Sequence, residues 1–286
     1  MRKKPSRTPL FLLYPTIVIL LAIGIFPLAY SLYLTMFDYS LGLEPQFVGL
    51  ANYIAFSTDP AFWYAANVTF IYSFAGVTIQ LIAGLGIALL LSRQMKGASI
   101  VKTIIVCPLM MAPVTIGYLW RLLVMPQYGA LAYTLDIIGF KDPHLLVPPF
   151  VLWVIILAES WQWTPFVALC LLAGILSLPS DMIEAAEVDG VSRAQKLRYI
   201  VLPSLRNVIT IVFLIRLIDL LKGFDTIYTI STGGPGLATS TISFIAYIMW
   251  VFLLKFGNAT TYAWLLVIIV NIVVIVFSRV FFGRRR

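Results

Sequence analysis

Long apolar segments are the feature of this chain that most restricts its fold. Six are long enough to cross a hydrocarbon core of about 30 Å: residues 10–35, 67–92, 102–122, 146–176, 204–221 and 261–282. Only 11% of the 286 residues are charged, against about 25% in a soluble domain. Uninterrupted apolar runs indicate spanning helices, because the strands of a membrane barrel alternate polar with apolar residues. We predict one all-α integral membrane domain, residues 1–286, with six transmembrane helices.

The basic residues predict how these helices are oriented. Most of the 20 lysines and arginines precede the first span, join the second span to the third, follow the fourth or end the chain. Because cytoplasmic loops are enriched in lysine and arginine, we expect these connections and both termini in the cytoplasm. This distribution accounts for the net charge of +8 without a nucleic-acid partner.

A seventh apolar segment, residues 241–254, lies in the predicted outer loop 223–258. As a helix it is too short to cross a bilayer, since each residue adds about 1.5 Å. We therefore expect a re-entrant or interfacial helix there. A seventh span would also carry the arginine-rich end of the chain outward.

The stretch 180–203, which we call the elbow, separates the fourth span from the fifth. Asp181 and Glu184 are spaced as a capping box, which predicts the start of a helix. Gly190 can adopt the left-handed conformation that ends a helix. Ser192 predicts a second capping box and a second short helix, which we expect to end at the proline that closes the elbow. The alternative interpretation is an amphipathic hairpin in the membrane interface.

Ionisable side chains inside spans are costly in lipid and usually face a cavity or a partner. Glu159 interrupts the fourth span, and helical spacing places Trp163 and Phe166 on its face. Arg216 and Asp219 share a face of the fifth span. Aromatic rings suit the apolar faces of sugars, while carboxylate and guanidinium groups hydrogen-bond hydroxyls. The pattern favours a polar, aromatic-lined cavity.

Other interpretations of these charges stay open. Arg216 and Asp219 could neutralise each other and only hold helices together. Alternatively, Asp219, Lys222 and Asp225 could lie in water at the outer end of the span. An arginine within a span hints at an anionic sugar, but Asp219 one turn away could cancel its charge.

The sequence contains no candidate catalytic or nucleotide-binding motif. No G-x-x-x-x-G-K-[ST] run occurs, and the glycine-rich residues 232–236 lack a lysine, so we do not expect the chain to bind ATP itself. Neither a Ser/His/Asp set nor a metal-binding motif is present. We predict a protein that is not an enzyme and holds no metal or cofactor.

Two stretches carry a resemblance to a known family. The elbow, with Glu184-Ala185-Ala186, Asp189-Gly190 and Pro203, resembles the EAA loop of ABC-importer permeases. It departs from the family at Val191 and Leu197, where alanine and phenylalanine are usual. The FDTIY run at 224–228 and the TGGP run at 232–235 resemble the outer loop of carbohydrate-importer permeases of the maltose and glycerol-phosphate type, and TGGP is similar to the maltose-permease-F-like member.

The resemblance implies a type I importer permease fold, with sugar uptake by alternating access across a bacterial or archaeal cytoplasmic membrane. It implies a heterodimer with a second permease, two ATPase subunits that hold ATP and Mg, and an extracytoplasmic solute-binding protein. The residues it implies for ATPase coupling are Glu184, Ala185, Ala186, Asp189, Gly190, Leu197 and Pro203. By position, it implies that substrate is contacted by Trp161, Trp163, Phe166, Arg216, Asp219 and Leu220, to which the spacing argument adds Glu159.

Two other classes of function are weighed against this one. An ion-coupled secondary transporter would use Glu159 and Asp219 and would be expected to contain inverted repeats, none of which is evident. A membrane-embedded assembly subunit would show no dependence on a solute.

Overall fold

The computed structural model describes residues 8–93, 97–141 and 143–282. Several basic residues that support the predicted orientation lie outside this part of the chain: Arg2, Lys3, Lys4, Arg7, Lys96, Arg284, Arg285 and Arg286. The described residues form two compact units. One runs through Phe62 and includes Ile245–Val267, and the other comprises Trp63–Phe244 and the described residues from Ile268 onward.

Helices make up most of the described chain. In order they are α1 (Thr8–Leu20), α2 (Phe26–Leu34), α3 (Ala51–Thr58), α4 (Pro60–Leu91), α5 (Ala98–Val106), α6 (Pro113–Val124), α7 (Ala130–Ile137), α8 (Phe150–Leu176), α9 (Ser180–Val188), α10 (Arg193–Lys196), α11 (Leu202–Leu221), α12 (Asp225–Ser231), α13 (Ile242–Val251) and α14 (Phe256–Phe282). The π-helical turns Leu21–Ile25 and Leu197–Val201 join α1 to α2 and α10 to α11, and the 3-10 turn Cys107–Met110 follows α5. A small antiparallel pair, β1 (Phe37–Asp38) with β2 (Gln46–Phe47), lies between α2 and α3.

Each predicted span corresponds to helix. Within the described residues, five helical stretches are long and apolar enough to cross a membrane, and a bent pair makes a sixth. The second span begins at Pro60, earlier than predicted, because Asp59 caps it: the Asp59 carboxylate accepts the Ala61 N–H at 2.9 Å, and proline suits the first helical turn. The seventh apolar segment forms α13, whose 10 residues are too few to cross a bilayer.

The third span is broken, whereas the sequence predicts one continuous helix over 102–122. Ser99–Met110 and Pro113–Val124 meet at an angle of 98°. Met111 and Ala112 are extended at the junction, since the residue before a proline is disfavoured in helical conformation. The Ala112-Pro113 pair is the physical reason for the break.

The predicted end of the second elbow helix at Pro203 is also wrong. The helix continues through the π-turn, so that Arg193–Leu221 is one stretch of 29 residues. The Leu202 N–H donates to the Leu197 carbonyl, five residues back, and this wider turn accommodates the proline that follows, which has no N–H to donate. The same arrangement precedes Pro27, where the Phe26 N–H donates to the Leu21 carbonyl.

The two long helices α4 and α8 approach closely at a glycine. A Cβ atom on Gly84 would lie 2.7 Å from Val167 Cγ1 and 3.2 Å from the Ala168 backbone nitrogen. Val167 is fully buried. Since lipid provides little hydrophobic driving force between helices, such close contact is a main source of their association.

The glycine contact yields a stability test. Gly84→Ala is expected to lower the free energy of unfolding by about 1–3 kcal/mol, because the added methyl group meets backbone that cannot easily move. Gly86→Ala, on the same helix with open space around it, should be neutral or stabilising, since alanine favours helix. Thermal unfolding of the purified variants in detergent compares the two. Equal melting temperatures would show that α4 and α8 are not in close contact here.

Candidate functional site

Arg216 on α11 is a buried charge. Its side chain is 1% exposed and is the largest of the fully buried side chains among the described residues. A guanidinium stays protonated in proteins, and a buried charge is very costly without partners. The residues around Arg216 therefore have to compensate its charge.

Three side chains accept hydrogen bonds from this guanidinium. Nε donates to Gln80 Oε1 of α4 at 2.9 Å, and Nη2 pairs with Glu159 Oε1 of α8 at 3.1 Å. Nη1 pairs with Asp219 Oδ2, one turn along α11, at 3.2 Å. The ring of Trp163 lies against the guanidinium, 4.3 Å from its carbon to the ring centroid, close enough for a cation–π contact. One side chain thus fastens α4, α8 and α11 to each other.

Glu159 extends this network to a fourth helix. Its second oxygen, Oε2, accepts from the Thr226 hydroxyl of α12 at 3.1 Å. Only 9% of Glu159 is exposed, so both oxygens of a buried carboxylate have a donor. Pairing of each carboxylate oxygen lowers the cost of burying the charge of Glu159.

A cavity of about 310 Å³ opens beside this network. Besides the network residues, its walls include the start of α6, the residues that follow α11 and the start of α12. Its lining comprises Pro113, Glu159, Trp163, Arg216, Asp219, Lys222, Gly223, Phe224, Asp225 and Thr226. Of the two carboxylates that pair with Arg216, Asp219 is the one that reaches water, with 43% of its side chain exposed. Its other oxygen lies 3.5 Å from Lys222 Nζ.

The structure brings together four of the residues predicted to contact substrate, namely Glu159, Trp163, Arg216 and Asp219. The other three do not line this cavity: Phe166 packs edge-on against Trp163 with centroids 6.3 Å apart, and Leu220 is fully buried. Trp161 is 42% exposed and lines a separate, mostly apolar cavity with Trp120. Four of the seven predicted residues thus line one cavity, and that any of them contacts substrate stays a prediction.

Gln80 and Thr226 belong to the network but were not expected. Gln80 is a polar residue in the middle of a long apolar span, which is a sequence signal for a buried contact. Thr226 gave no comparable signal, because a threonine next to a span end is commonplace.

The elbow has the predicted local structure at its centre. Gly190 has φ +70°, and the Val191 N–H donates to the Ala186 carbonyl at 3.0 Å, a bond typical of a glycine-ended helix. The Ser192–Gln195 capping box is present in both directions. Asp181 does not cap α9, since the helix already begins at Ser180.

Residues of the elbow divide between an inward and an outward face. Ala186 is buried, and Leu197 packs against the apolar core formed by α4, α8 and α11. Glu184, Ala185, Asp189, Gly190 and Pro203 are exposed. Two large apolar side chains are exposed with them, Val188 at 87% and Tyr199 at 68%. The outward face therefore mixes charge with apolar surface, as protein interfaces do.

Comparisons with known proteins agree with this geometry. The family described as "Binding-protein-dependent transport system inner membrane component" matches residues 11–286. The probable ABC transporter permease protein y4oQ of Sinorhizobium fredii is 34% identical over 256 residues, covering 88% of this chain and 82% of the relative. The trehalose/maltose transport system permease protein MalF of Thermococcus litoralis is 32% identical over 249 residues, covering 86% of this chain and 84% of the relative.

One solved structure has the same fold over nearly its whole length. It is a bacterial alginate ABC transporter in complex with alginate pentasaccharide-bound periplasmic protein. The matched chain gives a TM-score of 0.85 at 22% identity, covering 98% of this chain and 95% of that one.

The two ion-pair partners of Arg216 should contribute very differently to stability. Glu159→Gln is expected to lower the free energy of unfolding by about 3–5 kcal/mol, because it removes a buried counter-charge from a buried cation. The matched change Asp219→Asn should cost less than about 1 kcal/mol, since water reaches that pair. Unfolding of the purified variants by heat or denaturant measures both. A similar loss for the two would contradict Glu159 as the principal counter-ion.

Proposed function

Since the chain belongs to the family of binding-protein-dependent transport system inner membrane components, we propose that it carries a neutral sugar into the cell as the permease subunit of an ATP-driven importer. Members of this family are membrane permease subunits and not enzymes themselves. We assign ATP and Mg to separate ATPase subunits. The observation that carries the proposal is the combination, on one chain, of an exposed elbow with a polar cavity between the spans on either side of it.

We infer the orientation of the chain from its charge. Arg193, Lys196, Arg198 and Arg206 lie in or just after the elbow, and such residues favour the cytoplasmic side. With six spans, both termini lie on that side too. The assembly we propose contains a second permease, two ATPase subunits and a binding protein outside the membrane. The family description and the periplasmic protein in the alginate transporter structure support the binding protein as a partner.

The elbow is the part we propose for docking to an ATPase subunit. Its outward face offers Glu184 and Asp189 for polar contacts, and Ala185, Val188 and Tyr199 for apolar ones. Closure of the ATPase subunits would then draw the elbow with it. The helix Arg193–Leu221 joins the elbow directly to Arg216, so the movement would reach the cavity through a lever of at most about 35 Å. This is alternating access by rigid-body movement.

The charges of the cavity favour a neutral sugar over an anionic one. Three carboxylates but only two basic groups line it. The Arg216 guanidinium, the natural partner for an acidic sugar, already donates to Gln80, Glu159 and Asp219. An anionic ligand would have to break one of these pairs and meet an excess of negative charge. The Trp163 ring and the exposed Asp219 carboxylate suit the apolar face and the hydroxyls of a neutral sugar.

The elbow angle provides a test of coupling. Gly190→Pro is expected to abolish ATP-driven uptake by the assembled transporter in proteoliposomes while the chain still inserts in the membrane, because proline cannot adopt positive φ. Gly190→Asn should retain most uptake, since asparagine tolerates the left-handed conformation. Normal uptake by the proline variant would exclude the elbow as the coupling element.

Neighbouring tryptophans provide a test of the cavity. Trp163→Ala is expected to raise the KM for uptake of maltose or trehalose by about tenfold, because an aromatic surface against the sugar is lost. Trp161→Ala should leave KM nearly unchanged, since that ring lines the other cavity. Radiolabelled uptake by both variants, with glucuronate as an acidic comparison, measures this. An equal increase of KM in the two variants would place the sugar site outside this cavity. A wild-type preference for glucuronate over maltose and trehalose would exclude a neutral substrate.

A further inference from the structure

A second cavity, of about 590 Å³, is formed partly by the elbow. The end of α4, the end of α8 and the first turns of the helix that leaves the elbow form its walls. Its basic lining residues are Arg93, Arg193 and Lys196, and its apolar ones include Leu89, Ile175 and Val201. None of these residues belongs to the Arg216 network.

Two of these basic groups, Arg93 and Arg193, carry charges that no carboxylate among the described residues balances. Among the residues that the structure describes, neither Arg93 nor Arg193 is within ion-pair distance of a carboxylate. Arg193 and Lys196 are one turn apart on α10, where like charges repel. The two arginines on one concave surface produce a positive potential that a bound anion would offset.

The floor of the cavity is apolar and belongs to the spans. Ile175 and Val201 are part of the buried core shared by α4, α8 and α11, and Leu89 packs against it. The helices α4 and α8 end at Leu91 and Leu176, so the basic rim lies where spans leave the hydrocarbon region. A ligand that fits has an anionic group at the rim and an apolar part toward the core.

We propose that this cavity binds the phosphate headgroup of an anionic phospholipid. Basic pockets between membrane helices on the cytoplasmic side are suited to such headgroups. A bound lipid would bridge the ends of α4 and α8 to the first turn of α10, and would thus steady the elbow against the spans. That the lipid comes from the inner leaflet rests on the orientation proposed above, whereas the binding itself does not.

Lipid retention by the purified full-length chain tests the proposal. The chain is placed in phosphatidylcholine nanodiscs with or without phosphatidylglycerol, released into mild detergent, and examined by native mass spectrometry for retained phosphatidylglycerol. The wild type is expected to retain it. R93Q/R193Q should bind it roughly 30-fold more weakly, because two attractions to the headgroup are lost.

Two further variants distinguish lipid binding inside the cavity from non-specific attraction of anionic lipid to basic residues. R198Q/R206Q removes the same charge from neighbouring positions that do not line the cavity, and it should retain phosphatidylglycerol like the wild type. A194W keeps every basic residue but places an indole in the cavity, which Ala194 lines. It should lose the lipid even if R93Q/R193Q fails to fold.

Four outcomes would overturn the proposal. Equal loss of phosphatidylglycerol in R93Q/R193Q and R198Q/R206Q would indicate non-specific attraction of the lipid to basic residues. Full retention of phosphatidylglycerol in A194W would indicate the same. Displacement of phosphatidylglycerol by millimolar inorganic phosphate would make soluble phosphate the ligand. Unchanged lipid retention in R93Q/R193Q would exclude these arginines from lipid binding, and loss of the ATPase from the assembled transporter carrying the same changes would assign the cavity to an acidic segment of that partner. None of these outcomes bears on sugar uptake, which is tested separately.

Discussion

The buried charge of Arg216 is the constraint on which the centre of this chain depends. A guanidinium cannot discharge itself by losing a proton, so its surroundings must supply counter-charge and hydrogen-bond acceptors. Here Gln80, Glu159 and Asp219 supply them from three directions. The same contacts that remove the cost of burial also determine how α4, α8 and α11 pack. The cavity lies beside this network, on the side where Asp219 reaches water.

Proline is accommodated in three different ways along the spans. At Pro60 it starts a helix behind an aspartate cap. At Pro113 the preceding residue is extended, and the span breaks by 98°. At Pro203 a π-turn absorbs the missing donor and the helix continues. In lipid an unsatisfied backbone group is too costly to leave exposed, so each solution either ends the helix cleanly or supplies another partner.

Much of the fold could be predicted from the sequence. The apolar segments identify the spans because their lengths must match the bilayer, and the all-α type I permease fold is confirmed by the family match and by the alginate transporter structure. The glycine at 190 and the Ser192 capping box are confirmed because they depend on local chemistry alone. The straight third span and the helix end at Pro203 are wrong, since composition does not distinguish a proline that breaks a helix from one that a π-turn absorbs.

The cavity was predicted only in part: helical spacing indicates the faces of Glu159 and Trp163, but the contact of Gln80 with Arg216 depends on how distant helices pack.

The continuous helix from Arg193 to Leu221 has a consequence for any change in its length. An α-helix turns about 100° per residue. The number of residues between the elbow and Arg216 therefore fixes their angular phase, which is the rotation of one relative to the other about the helix axis. A π-turn amounts to one residue more than a regular helix would hold, and the turn at Leu197–Val201 is therefore part of that phase. Deleting or inserting a single residue between the elbow and Arg216 would leave both ends intact and aim one of them in the wrong direction.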